Sequence, residues 1–241
     1  MLLSRLVLAG LLWVMPVGAW GAVAHDATTT FTANNATSVS GSHTPVSTTN
    51  GIAEICVSWQ RSPLGTLDSV TYNGSAATLV AGVNEGFTGT RRVELWRYIG
   101  PPSGASTVTA TFDATKNDMR MHVSTYTGVD QTTPHGTAVT ASGTSTTASV
   151  TVTSAAGELV IDCAMTANSA AVATVGAGQT QRANFGDATN HLHLGSEEAG
   201  AASTVMSWTF TADGWGTIGV PLKPVSAAAT VCRRMMLGVG C

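Results

Sequence analysis

Strict alternation of apolar and polar side chains in short segments is the feature that most constrains the fold of this chain. Met206, Trp208 and Phe210 fall on one side of an extended segment, and Val150 and Val152 show the same spacing. A period of two residues is typical of a β-strand with one buried and one solvated face. After the first 24 residues no stretch has a convincing helical period. The sequence therefore predicts an all-β protein with antiparallel sheets.

Segments rich in Thr, Val and aromatic residues are separated by Gly, Pro, Asn and Ser, which predicts short strands joined by turns. The predicted strands cover residues 52–59, 67–72, 77–81, 91–99, 107–112, 120–127, 148–153, 158–166, 179–185, 191–194, 204–211 and 216–222. Asn73-Gly74 lies between two of them and predicts a tight hairpin, because both residues tolerate positive φ. About a dozen short strands without intervening helices indicate an antiparallel β-sandwich, of jelly-roll-like type.

The N-terminal segment has the pattern of a signal peptide. Residues 1–5 carry one positive charge, residues 6–17 are apolar, and Ala22-Val23-Ala24 offers a small-x-small site with cleavage before His25. The alternative is an uncleaved membrane anchor, although the apolar run is shorter than the ~20 residues of a membrane span. We expect a secreted or cell-surface protein, or alternatively a virion-associated one.

This interpretation divides the chain into three parts. Residues 1–24 are the expected signal peptide, residues 25–225 the β-sandwich domain, and residues 226–241 a flexible basic-apolar tail with two cysteines. The chain has 11 Lys and Arg against 14 Asp and Glu, with no basic cluster in the domain body. That balance argues against nucleic-acid binding, which depends on neutralising phosphates.

The four cysteines allow three pairings. Cys56 alternates with Glu54, whereas Cys163 alternates with Leu159 and Ile161. Simple inside–outside alternation would point these two thiols in different directions, and a disulfide needs converging Cβ vectors. In an oxidising compartment this favours a disulfide between the two remaining cysteines, Cys232 and Cys241.

Six segments come in an order that resembles a known domain. They are VTYNG at 70–74, VELWRYIGPP at 93–102, TVTATF at 107–112, YTGVDQTTP at 126–134, GELVID at 157–162 and MSWT at 206–209. The chain resembles a widespread, largely uncharacterised β-sandwich domain of exported bacterial proteins and phage structural regions. The resemblance implies an antiparallel sandwich in a surface, adhesive or virion setting, and it implies no reaction. Asp130, in the most specific of these segments, is interpreted as the cap of a turn.

Common catalytic signatures, such as the nucleophile elbow or the zinc-protease helix, are absent from the sequence. Two metal sites are conceivable. His25, as a mature N-terminus, could chelate copper together with His122, His135, His191 or His193. Alternatively, His191 and His193 share one strand face near Asp187, Glu197 and Glu198, and could bind zinc. The alternative for these two histidines is a solvent-facing position on an edge strand.

An aromatic platform for a sugar ring is a further possibility. Trp215 lies between two glycines and is the aromatic residue most expected to be exposed, with Trp96 and Tyr98 as additional candidates. Trp208 is predicted to lie in the core because it alternates with Met206 and Phe210.

The sequence as a whole predicts a non-enzymatic exported structural or adhesive module without a cofactor. It would associate with other protein subunits or a surface polymer, with homo-oligomers as one form of assembly. The alternative function is a carbohydrate-binding or carbohydrate-active secreted protein.

Overall fold

The computed structural model describes residues 22–60, 63–167, 173–186 and 191–226. These residues form thirteen strands and no helix, so none of them forms a helix that could cross a bilayer. The strands are β1 (Ala24–His43), β2 (Ile52–Gln60), β3 (Leu67–Tyr72), β4 (Ser75–Ala76), β5 (Thr78–Asn84), β6 (Arg91–Ile99), β7 (Ser106–Thr127), β8 (Val139–Val152), β9 (Leu159–Thr166), β10 (Thr174–Val175), β11 (Thr180–Gly186), β12 (Leu192–Ala199) and β13 (Thr204–Leu222). Residues 1–21 of the expected signal peptide and residues 227–241 of the expected tail lie outside the described residues. The expected cleavage site at residues 22–24 is described: Val23 is buried and Ala24 begins β1.

The strands form two antiparallel sheets, which confirms the predicted all-β sandwich. The first sheet has the order β4-β3-β7-β2-β6-β5, with β1 on the other edge of β7. The second has the order β10-β13-β9-β12-β11, with β8 on the other edge of β13. Each sheet therefore takes all its strands from one half of the chain.

The first sheet folds back over itself at the middle of its longest strand. Tyr72 pairs with Val108 near one end of β7, and Tyr98 is in register with Thr125 near the other end, through β2. A straight strand would separate these two points by about 55 Å at ~3.3 Å per residue. The rings of Tyr72 and Tyr98 are instead stacked with centroids 5.0 Å apart. The β1–β7 ribbon must therefore bend sharply.

The second sheet bends in the same way at the β8–β13 ribbon. A Cβ added at Gly219 would overlap Val152, although Gly219 pairs with Val139 at the opposite end of β8. The sequence predicted two strands, 107–112 and 120–127, where β7 is continuous, and two strands, 204–211 and 216–222, where β13 is continuous. The predicted gaps coincide with the bends, because the apolar alternation is interrupted there.

The second half of the chain repeats the strand pairing of the first. The pairs β1–β7, β7–β2, β7–β3, β2–β6 and β6–β5 have the counterparts β8–β13, β13–β9, β13–β10, β9–β12 and β12–β11. Cys56 is the fifth residue of β2 and Cys163 is the fifth residue of β9, so the two cysteines occupy equivalent positions. Because these equivalent residues contact each other, the two halves are related by an approximate two-fold axis.

The buried apolar side chains form four clusters, of which the smallest contains Val150, Val152, Val160 and Met206 in the second half. One lies inside the folded ribbon of the first half and includes Trp59, Phe112 and Met121. A second fills the other half around Trp208 and Leu194. The third lies between the halves and includes both cysteines.

Cys56 and Cys163 form a disulfide with their Cα atoms 5.7 Å apart. The expectation that these thiols face different ways is wrong. The alternation argument assumed that Glu54 faces solvent, but this residue is buried and bonds to His135 at 2.7 Å. Because β2 is buried on both faces, its polar residues do not mark an outer side. Cys232 and Cys241 lie outside the described residues, and their pairing stays a prediction.

Two turns have the predicted chemistry. Asn73 and Gly74 adopt φ values of 49° and 78° between β3 and β4, as a two-residue hairpin with two left-handed residues requires. The Asp130 carboxylate accepts hydrogen bonds from the backbone amides of Thr132 and Thr133, both at 2.8 Å. Asp130 therefore caps a turn, as expected.

Candidate functional site

A group of polar side chains is buried between the two halves, where β2 and β7 face β12. We call it the histidine cluster. It comprises Ser58, Asp118, Arg120, His122, His191 and His193. Each of these residues is at most 4% exposed. Burial of so many polar groups is costly unless each finds a partner.

Strand alternation directs these side chains toward one another. On β7, Met119, Met121 and Val123 point into the folded ribbon of the first half. The intervening residues Asp118 and His122 therefore point toward the second half. On β12, Leu192 and Leu194 pack in the core of the second half, which turns His193 back toward the first.

The cluster is connected by a chain of close contacts. His191 Nδ1 lies 2.8 Å from Asp118 Oδ2, and His191 Nε2 lies 2.8 Å from Ser58 Oγ. Ser58 Oγ in turn lies 2.6 Å from His193 Nδ1, and His193 Nε2 lies 2.8 Å from His122 Nδ1.

One set of protons fits the three hydrogen bonds of this chain: His122 donates to His193, His193 to Ser58, and Ser58 to His191. The proton on His191 Nδ1 then lies beside the Asp118 carboxylate, in a 2.8 Å contact that is not a hydrogen bond. Each imidazole then carries a single proton and is neutral. At the Asp118 end of this chain of contacts, Arg120 Nη2 donates a hydrogen bond to Asp118 Oδ2 at 2.8 Å.

Burial keeps these imidazoles neutral. It lowers the pKa of His122 to about 3, and it lowers the pKa of His193 well below its usual value, with further lowering by His122, His191 and Arg120. Burial also lowers the pKa of His191, although the neighbouring Asp118 opposes that effect. Neutral imidazole is the form that binds metal ions.

Cys56 adjoins the cluster and completes a set of metal-ligand atoms. The Cys56 Sγ and one ring nitrogen each of His122 and His193 lie within 4.8 Å of one another. These are the residues best placed to hold a metal ion, although the Cys56 sulfur is engaged in the disulfide.

The two-fold relation of the halves provides an internal comparison for this site. By strand register, the counterparts of Ser58, His122 and His193 are Met165, Ile218 and Val93. All three counterparts are buried and pack in the apolar region between the halves. These three positions are therefore filled by apolar side chains on the other side of the axis.

Asp118, His191 and Ser58 share the connectivity of a catalytic triad, in which a carboxylate orients an imidazole that contacts a hydroxyl. Ser58, however, has no exposed surface, and its hydroxyl is occupied by two histidines. A substrate carbonyl does not reach the Ser58 oxygen in this arrangement. The geometry therefore favours a structural or ligand-holding role for the cluster.

The structure brings His191 and His193 together at Ser58, but not on an edge. Both are fully buried, and β12 lies between β9 and β11. Asp187 lies outside the described residues, and Glu197 is paired with Arg182. His25 is elsewhere: its Nε2 lies 2.8 Å from Thr28 Oγ1, and its ring packs on Tyr126.

None of the three aromatic candidates is an exposed platform. Trp215 is only 9% exposed, contrary to expectation, because it packs over Gly143 and donates to Ser145 Oγ at 2.9 Å. Trp96 and Tyr98 are half-buried against the core of the first half. The glycines around Trp215 reflect close strand packing within the protein. A Cβ at Gly214 would overlap Glu85 and Phe87, and a Cβ at Gly216 would press against Val83.

Sequence reasoning missed Ser58, Asp118 and Arg120 as site residues and missed the role of Cys56. The polar alternation of Asp118 to Ser124 with Met119 and Met121 is the usual pattern of a solvated strand face. Only the packing of the second half on that face shows that it is buried. Comparison with protein-family models, with curated proteins and with solved structures finds no match to this chain.

Proposed function

We propose that the protein is a non-enzymatic exported building block, of a cell surface or a virion, that assembles with further protein subunits through an open sheet edge. The observation that carries this proposal is the character of β8. On one side β8 pairs with β13, and no strand among the described residues pairs with its other side. It contains neither a charged residue nor a proline in its 14 residues.

Such an edge is unusual for a protein that stays monomeric. Natural sheets protect their edges with charges, prolines or short strands, because unpaired backbone groups are a template for another strand. The first sheet has a similar edge in β1, whose 20 residues include Asp26 as their one acidic residue and no Lys or Arg. Strand addition at such an edge uses backbone hydrogen bonds for affinity.

The disulfide between the halves supports an oxidising compartment, in which exported proteins acquire such bonds. The predicted signal peptide and the resemblance to surface and virion domains point the same way. A structural role also agrees with the burial of the polar groups of the histidine cluster, which leaves Ser58 without access to substrate.

The test compares one lysine on the edge with one lysine in the sheet interior. Thr151 is exposed on β8, and Thr209 is exposed on β13 between β8 and β10. Thr151→Lys is expected to raise the dissociation constant of the assembly at least about tenfold, because like charges meet when two edges pair. Thr209→Lys adds the same charge to a strand that is already paired, and should leave the assembly unchanged.

Sedimentation velocity over a range of concentrations measures both variants against the wild-type protein. A wild-type protein that stays monomeric at every concentration would contradict the proposal. Equal weakening by both lysines would contradict it too, because it would assign the effect to net charge rather than to the edge.

A further inference from the structure

The first observation is the convergence of three ligand atoms of the type that soft divalent ions prefer. Cys56 Sγ and one nitrogen each of His122 and His193 lie within 4.8 Å of one another. In a tetrahedral zinc site, bonds of about 2.0 Å to nitrogen and 2.3 Å to sulfur place ligand atoms about 3.3–3.5 Å apart. His122 Nδ1 and His193 Nε2 are 2.8 Å apart, so coordination requires these two nitrogens to separate by about half an ångström and the Cys56 sulfur to lie about 3.5 Å from each of them.

The second observation is that a chain of polar contacts on its Nδ1 side fixes the orientation of the His193 ring. Its Nδ1 contacts Ser58, and Ser58 contacts His191, which lies against the Asp118 carboxylate. A ligating histidine in a metal site commonly donates its other ring proton into such a chain ending on a carboxylate, which fixes the ring and its tautomer. The chain leaves the lone pair of His193 Nε2 directed toward His122.

The third observation comes from the repeat. The equivalent position on the other side of the two-fold axis is filled by Val93, Met165 and Ile218. Cys163, the counterpart of Cys56, has Ile218 as its strand neighbour where Cys56 has His122. Packing of the halves thus accepts apolar side chains at these three positions, and folding alone does not require two histidines and a serine there.

We propose that Cys56, His122 and His193 form a binding site for a thiolate-preferring divalent cation such as Zn²⁺, which becomes available when the Cys56–Cys163 disulfide is reduced. A dithiol supplies the two electrons and two protons that convert the disulfide to two thiols, and is itself oxidised to a disulfide. The cation then displaces the proton of the Cys56 thiol, and the proton on His122 Nδ1 moves to Nε2 so that Nδ1 can bind.

The ligand types select the ion. One thiolate with two imidazoles suits Zn²⁺ and Co²⁺, whereas Mg²⁺ and Ca²⁺ prefer oxygen ligands. Disulfide and metal are therefore alternative cross-links at one position: the disulfide joins Cys56 on β2 to β9, and the metal joins Cys56 to β12 through His193.

Two single substitutions give a matched test. Cys163→Ser and Cys56→Ser remove the same disulfide, but only Cys163→Ser leaves the Cys56 thiol beside the two histidines. Co²⁺ added to Cys163→Ser is expected to bind one ion per chain, with thiolate-to-cobalt charge-transfer absorption and the ligand-field bands of tetrahedral cobalt. Cys56→Ser and the oxidised wild-type protein should show neither signal. Excess Zn²⁺ should remove the cobalt bands, and Mg²⁺ should not.

Variants of the histidines in the Cys163→Ser background identify the ligands. His122→Asn or His193→Gln should weaken Co²⁺ binding by at least about 100-fold, and Ser58→Ala by about 10- to 100-fold, the range for residues that orient a ligand. His43→Gln, at a buried histidine outside the cluster, should leave it unchanged. Circular dichroism checks that each variant is folded, and the wild-type protein reduced with a phosphine provides the same cobalt test without substitution.

Three results would overturn the proposal. One is the absence of bound cobalt in both Cys163→Ser and the reduced wild-type protein. Another is equal binding by Cys56→Ser and Cys163→Ser, which would remove Cys56 from the ligand set. The third is unchanged binding in both histidine variants. None of these results bears on the β8 edge, so the two proposals stand or fall separately.

Discussion

At the scale of single residues, His43 shows how the burial of one side chain makes the free energy of unfolding depend on pH. It is fully buried on β1, with Nδ1 2.9 Å from Thr29 Oγ1 and Nε2 3.3 Å from Thr125 Oγ1. Burial lowers its pKa to about 4, against an opposing effect of Asp26 and a minor lowering by His25. The rings of Tyr72 and His43 pack edge to face, with their centroids 6.4 Å apart. The folded protein therefore holds His43 neutral where the unfolded chain would protonate it.

Because the pKa of His43 is lower in the folded state than its ordinary value of 6.5, the unfolded state binds more protons between these values. The stability that neutral His43 contributes is complete above about pH 6.5 and is lost as the pH falls toward 4. His43→Gln removes this dependence. The difference in unfolding free energy between wild type and variant should shrink by up to about 1.4 kcal/mol per pH unit in that window.

Urea unfolding at several pH values measures this difference. Thr29→Val is the control, because it removes a hydrogen bond of His43 and keeps the titrating group. Its destabilisation, about 1 kcal/mol, should vary little with pH. A His43→Gln difference that stays constant from pH 7.5 to pH 4.5 would contradict the role assigned to burial.

At the scale of the strand, the bent ribbons depend on close approach at a few positions. The two ends of β1 come together, since Thr29 contacts His43 across 14 residues of the same strand. Near this contact the ring of Phe31 covers Gly41, and a Cβ at Gly41 would overlap the ring. Gly41 does not have a positive φ, so a glycine is needed there because it has no side chain and not because it forms a turn.

Gly41→Ala is therefore expected to lower the free energy of unfolding by about 1–3 kcal/mol through overpacking. Phe31→Ala alone should also destabilise the protein, because it leaves a cavity where the two ends of β1 come together. The two changes together should cost less than their sum, since the alanine at position 41 then has room. Denaturant unfolding of both single variants and the double variant measures this coupling, and strict additivity would show that the two residues do not touch.

At the scale of the whole molecule, two similar halves are joined by a disulfide near their two-fold axis. The bond closes a loop of 107 residues and links β2 to β9 at equivalent positions. The interface around it is apolar on the side of β6 and β13, and polar on the side of β7 and β12. This asymmetry places the histidine cluster on one side only.

Loss of the disulfide should destabilise the protein without unfolding it, because each half has its own apolar core. By loop-closure reasoning a loop of this length contributes about 2–5 kcal/mol. Cys163→Ser and Cys56→Ser, compared with oxidised wild type in urea with a chelator present, should each lose this amount. Equal losses are expected because both variants open the same loop, and unchanged midpoints would indicate that the disulfide does not constrain the unfolded chain.

Much of the fold was predictable from local pattern. The strands 67–72 and 91–99 were predicted with the bounds they have, and Asn73-Gly74 and Asp130 form the turns that their chemistry requires. Strand β1 was missed, because its Thr- and Asn-rich sequence shows little apolar alternation. The site was predicted only in part: His191 and His193 were named together and His122 was named as a copper ligand with His25, whereas Ser58, Asp118 and Arg120 were not named.

By itself the sequence determined the all-β class, the antiparallel pattern and most strand positions, since alternation and turn chemistry act between near neighbours. Only the tertiary structure decided the bends of the long strands, the Cys56–Cys163 bond and the histidine cluster. Alternation separates the two faces of a strand but does not say what covers each face. In β2 and the second half of β7 both faces are covered, so polar residues that would ordinarily face water were brought together in the interior.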